Sequence, residues 1–364
     1  MGNTSRNYAL VDDVSTKNYI INGAVDFYQR QPAAVGETAL SGTAVYTVDR
    51  FTGKIQPPGT FGATTRIARV SSPSSPIVDC LYSLNVKAEN PSASGNIIRV
   101  TQRIESSVVR ELAGRTASLS FYINRSATPA SASTLTVSMA TPTTQDGFGT
   151  MNSAFTLPGG AASASFSFGG AGTWVLCQLH GISIPSNATN GLEVTFDFTG
   201  WDTTATISNQ QITAIMLNAG LKCAAFKRHG ATLADELIAC QRYFEKSYNV
   251  DTPVDTSTAN GMASSPLGQI LGDGAMCTVA WKVSKRPCTI SLSHSVSNLG
   301  TPQTLSLWNQ VGDDNVWQSF TASNVGTNRT PIVNWASEYG MQVSLDNSST
   351  DVFGQGHWVV DCEL

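Results

Sequence analysis

The stretch Leu192-Glu-Val-Thr-Phe-Asp-Phe198 decides the fold. Leu192, Val194, Phe196 and Phe198 take every second position, with Glu193, Thr195 and Asp197 between them. Successive side chains of an extended chain point to opposite faces, so this stretch has one apolar and one polar face. An antiparallel strand with a core on one side and water on the other reads this way. The same parity recurs upstream. Ile98, Val100 and Ile104 oppose Arg99, Thr101 and Arg103. Leu119, Phe121 and Ile123 follow it, as do Leu135, Val137 and Met139. Turn-forming runs such as Asn90-Pro-Ser-Ala-Ser-Gly95 and Leu157-Pro-Gly-Gly160 separate these segments. Many short strands without intervening helices predict a sandwich or jelly roll.

One segment breaks the period. Between Thr232 and Lys246, Leu233, Leu237, Cys240 and Phe244 recur at helical steps. Thr232 is a suitable N-cap, and Asp235 and Glu236 load the first turn with negative charge. The expected fold is therefore all-β, with one connecting helix. An arm (1–17) leads to a jelly-roll-like sandwich (18–230), the helix (231–248), a Thr/Ser/Asn/Gly-rich linker (249–268) and a smaller β-sandwich (269–364). In the last block Trp281, Trp335 and Trp358 share parity with apolar neighbours, which predicts core positions. Cys240 is expected to pack beside Leu237 and Phe244 as an unreactive thiol.

Composition narrows the partners. Only 13% of the 364 residues are charged and the net charge is −4, against a usual charged share of about 25%. No basic run can track phosphates, which disfavours nucleic acid. No apolar run approaches the ~20 residues needed to span a bilayer. The first residues lack a basic segment followed by an apolar one, so no export leader is expected. Seven cysteines without Cys-x-x-Cys spacing argue against disulfide frameworks and zinc ribbons. That usage suits folding in a reducing cytoplasm.

Catalytic signatures are few. His180, His229, His294 and His357 lack zinc-binding spacing, and Gly181-Ile-Ser-Ile-Pro185 lacks the last glycine of a nucleophile elbow. Neither Gly312-Asp-Asp-Asn315 nor Asp346-Asn-Ser-Ser-Thr-Asp351 has a calcium-loop spacing, and each reads as a hairpin turn. No cofactor and no metal site is expected, and the chain is not read as an enzyme.

A possible ligand surface lies in Thr304-Leu-Ser-Leu-Trp-Asn-Gln-Val-Gly-Asp-Asp-Asn-Val-Trp-Gln-Ser-Phe320. With Asp313-Asp314 as a two-residue turn, Gln310 faces Trp317, and Trp308 and Trp317 share the face opposite Leu307, Val311, Val316 and Phe320. Trp308, Trp317 and Gln310 then make either a stacking surface for sugar rings or a contact between subunits.

Three segments resemble a family of bacteriophage virion fibre and spike proteins. They are Asn18-Tyr-Ile-Ile-Asn-Gly-Ala-Val-Asp-Phe-Tyr-Gln-Arg30, Tyr46-Thr-Val-Asp-Arg-Phe51 and Ala225-Phe-Lys-Arg-His-Gly-Ala-Thr-Leu-Ala-Asp-Glu-Leu-Ile-Ala-Cys-Gln-Arg-Tyr-Phe-Glu-Lys-Ser247. Ala171-Gly-Thr-Trp174 and Gly191 to Phe198 resemble the family's carbohydrate-binding-module-like jelly roll. Phe51 stands where the family has Trp. The resemblance implies a homotrimeric, non-catalytic virion component that is assembled in the host cytoplasm and attaches to host-surface glycans. A head fibre without a receptor, or a glycan hydrolase, are the alternatives. The arm carries Tyr8, Leu10 and Val11, expected to anchor the chain to other virion proteins.

Overall fold

The computed structural model describes residues 15–32, 36–57, 59–71, 77, 79–125, 133–169, 172–254, 260–261, 263–264, 276–286, 291–292, 304–305, 331–345, 355–356 and 358–364. The first strands are β1 (Thr38–Ala39), β2 (Val45–Tyr46), β3 (Phe51–Gln56) and β4 (Arg66–Ser71). Next come β5 (Tyr82–Glu89), β6 (Ile97–Ile104) and a single-turn helix α1 (Ser106–Val109). Then follow β7 (Thr116–Arg125), β8 (Ser133–Ala140), β9 (Ser163–Phe168), β10 (Val175–Ser183), β11 (Leu192–Thr199) and β12 (Ile207–Ala219).

These strands form two six-stranded antiparallel sheets. Sheet one has the order β1-β4-β5-β12-β7-β10, and sheet two has β2-β3-β6-β11-β8-β9. From β5 to β12 the chain changes sheet at every connection except β8–β9. The two apolar faces meet between the sheets. Leu192, Val194, Phe196 and Phe198 of β11 are fully buried, with Leu119, Phe121 and Ile123 of β7. Phe121 reaches across the core, with its ring edge-on to Phe196 at 5.5 Å and to Phe166 at 5.4 Å. Each such buried side chain contributes about 1.5–3 kcal/mol. The all-β class expected from the alternating segments is the observed one.

The long β12 strand carries a register shift between Thr213 and Met216, with Ala214 at a φ of 52°. At and beyond that bulge the Asn18–Gly23 segment pairs with it: Tyr19 N donates to Leu217 O at 2.9 Å, and Ile215 N to Gly23 O at 2.9 Å. A Cβ at position 23 would lie 2.1 Å from Ile215 O, so only glycine permits this approach.

The connecting helix α2 spans Leu233–Gln241, shorter than the 232–246 period suggested. A capping box starts it: Asp235 N donates to Thr232 Oγ1 at 3.2 Å, and Thr232 N to Asp235 Oδ2 at 2.9 Å. Its inner face also differs from the expected one. Glu236, Cys240 and Gln241 are buried, whereas Leu233 and Ile238 are half exposed. Cys240 packs with Ile21, Phe27, Tyr243 and Leu237, and Phe244 belongs to a neighbouring cluster. The helix stops because the next residues enter another sheet: Phe244–Lys246 forms β13, antiparallel to Val359–Asp361.

Beyond β13, strands Met276–Ala280, Gly340–Leu345 and Pro331–Ser337 form a three-stranded antiparallel sheet. Trp281 and Trp358 are buried as expected, with ring centres 5.1 Å apart. Trp335 lies on the strand Pro331–Ser337.

Candidate functional site

The three segments that carry the virion-protein resemblance converge on one buried polar joint. Asn22 adopts a φ of 60° and is fully buried. Its side chain bonds Phe27 O at 2.9 Å, Asp49 O at 3.1 Å and Phe27 N at 3.0 Å. Glu236 of α2 accepts from Asn22 N and, at 2.8 Å, from Gly230 N. Asp49 accepts from Gln29 N at 2.8 Å and from Gln29 Nε2 at 2.7 Å. Arg50 and Arg30 pair with Glu363, and Arg30 also with Asp361. Lys285 and Glu245 form an ion pair that is fully buried.

Burial dominates the titration of this joint. It raises the carboxyls of Asp49 and Glu236 against the hydrogen bonds that favour their ionised forms. It lowers Lys246 to about 8, with Asp49 and Asp251 opposing. Lys246 Nζ donates to Gln29 O at 2.8 Å and to Thr252 O at 2.6 Å. These groups spend their bonds on one another, and the arrangement ties segments together. The charged residues of the resemblance therefore serve the fold.

Further polar chemistry lies on the outer sheet faces. On sheet two the polar residues bond to each other. Arg99 meets Asp197 with two contacts of 2.7 Å, Arg103 meets Glu193 at 3.2 Å, and Thr136 meets Ser165 at 2.9 Å. Sheet one differs. Registry places Asn85 of β5, Gln211 of β12 and Asn124 of β7 in one row across three strands. Each alternates with an inward residue: Leu84 and Val86, Ile212, and Ile123. Extending the Val175–Ile123 pairing by one residue puts Trp174 at the end of that row, opposite Asn124. At ~4.8 Å per strand the row spans roughly 14 Å, the length of a short oligosaccharide.

Three atoms of this row lack hydrogen-bond partners among the described residues: Asn85 Oδ1, Asn124 Oδ1 and Trp174 Nε1. Asn85 and Asn124 are each more than nine-tenths buried. Asn85 Nδ2 is held by Asn209 Oδ1 at 3.1 Å, which fixes the free carbonyl in place. Buried polar atoms without partners cost about 1–3 kcal/mol each, so a ligand that meets these side chains as they turn outward recovers that cost. The adjoining row carries Thr213, Tyr122 and the half-exposed Leu176. The row on the other side carries Arg66 and Lys87, both paired with Glu37. An aromatic ring beside a row of amides suits a neutral hydroxylated ligand.

The sequence reasoning did not select Asn85, Asn124 or Trp174 as ligand contacts. Their signal was parity: Asn85 and Asn124 occupy outward positions of strands whose inward positions are apolar, and Trp174, just before β10, continues the outward parity of that strand. Trp308, Trp317 and Gln310 lie outside the described residues, as do Tyr8, Leu10 and Val11. Among the described residues no group of three or more His, Cys, Asp or Glu is placed to hold a metal. No helix among them is long and apolar enough to cross a membrane. Cys80, Cys177, Cys223 and Cys240 are free thiols.

No known protein family matches the sequence, and no curated protein matches it. Solved structures give partial, distant matches. A carbohydrate-binding module in complex with β-1,4-galactotriose is 11% identical, with a TM-score of 0.31 over 56% of this chain and 99% of that one. The C-terminal family 22 carbohydrate-binding module of Clostridium thermocellum Xyn10B is 18% identical, with a TM-score of 0.31 over 53% of this chain and 100% of that one. The enzymatically active domain of Bacteriophage CBA120 tailspike protein 4 is 13% identical, with a TM-score of 0.31 over 56% of this chain but 21% of that one.

Proposed function

We propose that this chain is a non-catalytic, glycan-binding virion subunit, a fibre or spike component that attaches to neutral sugars on a host surface. The observation that carries the reading is the row Asn85–Gln211–Asn124–Trp174, with two amide carbonyls, that of Asn85 held in place by Asn209, and an indole N–H left without partners among the described residues. In such a site the ring of Trp174 packs against the apolar face of a pyranose. The carbonyls accept from its hydroxyls, and Trp174 Nε1 donates to a ring or hydroxyl oxygen.

The low charge supports a neutral ligand, since 13% charged residues give a weak field for steering ions. A few neutral hydrogen bonds, each worth about 0.5–1.5 kcal/mol net, give weak single-site affinity. Attachment then needs several copies. The homotrimer, and the anchoring of Tyr8, Leu10 and Val11 to other virion proteins, belong to this proposal. Linked sites raise overall avidity by roughly 100- to 10,000-fold without new contacts.

The test is adsorption of virions to host cells in competition with the purified chain, alongside an assay for new reducing ends after long incubation with host polysaccharide. Competition without release of reducing ends supports the reading. Reducing-end release would replace it with a hydrolase, and neither effect would remove the receptor role.

A further inference from the structure

A polar groove of about 720 Å³ opens where α1, the turn at Gln145 and Asp146, and Arg286 come together. That volume is within the roughly 300–1,000 Å³ usual for small-ligand clefts. The groove lies apart from the Asn85–Trp174 row: α1 follows β6 of sheet two, and none of the row residues lines it.

Both carboxylates of the groove are engaged. Glu105 accepts from Arg242 at 3.1 and 3.3 Å and from Tyr243 Oη at 2.9 Å. Burial opposes its ionisation, but Arg242, Tyr243 and Arg286 together hold its carboxyl below the usual range. Asp146 sits at a φ of 53°, and its side chain accepts from Ser106 N at 2.7 Å and Ser106 Oγ at 2.8 Å.

The basic groups are not engaged in this way. Arg286 Nε is buried without a partner among the described residues. The Arg110 guanidinium lines the groove from an exposed position, with no acceptor paired to it among the described residues. The lining holds two guanidiniums and two carboxylates, and the carboxylates are already bonded to Arg242, Tyr243 and Ser106. A guanidinium offers a planar fork of donors that fits carboxylate and phosphate oxygens, and such charge-assisted bonds are about twice as strong as neutral ones.

We infer that this groove is a second ligand site, which takes the carboxylate or phosphate of an acidic sugar between Arg110 and Arg286. Ser107 and Gln145 stand beside the anion to meet the hydroxyls of the same ring. The inference rests on the glycan-binding reading for the sugar, while its anion chemistry stands on the groove alone. In an attachment protein such a site would hold acidic sugars in addition to the neutral ones bound on the sheet face.

The experiment is calorimetric titration of the full chain at low salt with trigalacturonate, with its neutral methyl ester and with mannose 6-phosphate. At least one anionic probe should bind, and the methyl ester at least tenfold more weakly than trigalacturonate. Arg110→Gln alone, an exposed change that spares the fold, should weaken the anion at least threefold, and adding Arg286→Gln at least tenfold. Whichever anion is lost in the double variant identifies its source. Trp174→Ala should leave anion binding within twofold. No anion binding by the wild-type chain, equal binding of acid and ester, or unchanged binding by the double variant would each overturn the inference. Anion binding that Trp174→Ala abolishes would also overturn it and assign the ligand to the sheet face. Failure of the neutral-sugar reading shows separately, as absent neutral binding with arginine-dependent anion binding intact.

Discussion

The Arg50 guanidinium lies 3.4 Å from the centre of the Tyr243 ring. It also pairs with Glu363, and both charges are almost fully buried. Three distant parts of the sequence thus meet at one side chain: the Tyr46–Phe51 segment, the end of the α2 segment, and the last residues of the chain. A cation on a desolvated aromatic face gains about 2 kcal/mol, and loss of one partner of a buried ion pair costs about 3–5 kcal/mol.

Arg50→Ala is therefore expected to lower stability by about 3 kcal/mol or more, read as a shift of the denaturant midpoint. Arg50→Lys should recover only part, because a lysine cannot both cover the Tyr243 ring and reach Glu363 in the same plane. A midpoint within error of wild type for Arg50→Ala would show that the joint does not hold the two ends of the chain.

Glu236 gives a second prediction. Its oxygens accept from the main chain at Asn22 and Gly230, and burial raises its pKa. Glu236→Gln keeps one carbonyl acceptor and should cost about 1 kcal/mol, whereas Glu236→Ala leaves one buried and one half-buried N–H donor unpaired and should cost roughly 2–4 kcal/mol. Equal midpoints for the two variants would contradict this.

The alkaline limb of stability tests the buried thiols. Burial pushes Cys177 up to about 12 from 9.0. Its folded pKa is raised, so its contribution is complete below pH 9 and is lost as pH rises towards 12. Cys177→Ala should make the loss of stability between pH 9 and 12 less steep. In the native chain at pH 8 the Cys177 thiol should react with iodoacetamide far more slowly than in urea, measured by mass spectrometry. Parallel alkaline limbs for wild type and variant would refute the assignment.

What the sequence made legible follows its periodicity. Leu192 to Phe198 alternates strictly, so both its strand state and its buried face were readable. Which strands pair was not, because registry is set by contacts between segments far apart, such as Phe121 with Phe196. The α2 stretch misled for a related reason. Its apolar spacing favoured Leu233 and Phe244 on the inner face, but the neighbours it meets are the bare main-chain donors at Asn22 and Gly230. Those select the carboxylate of Glu236 for the interior. Asn85 and Asn124 looked like ordinary outward polar residues. Only the row they form with Gln211 and Trp174, and the atoms left without partners, sets them apart.

The measurement that tests the central claim most directly is titration of the wild-type chain and of Asn124→Ala/Trp174→Ala with a panel of neutral oligosaccharides, followed by calorimetry. Both residues sit on an outer sheet face, and equal thermal midpoints verify that the fold is kept. At least one neutral oligosaccharide should bind the wild-type chain, and the double variant should bind it at least tenfold more weakly, a loss of about 1.4 kcal/mol or more. Binding that is identical in the two proteins, or absent from both, would contradict the assignment of this face as the glycan site.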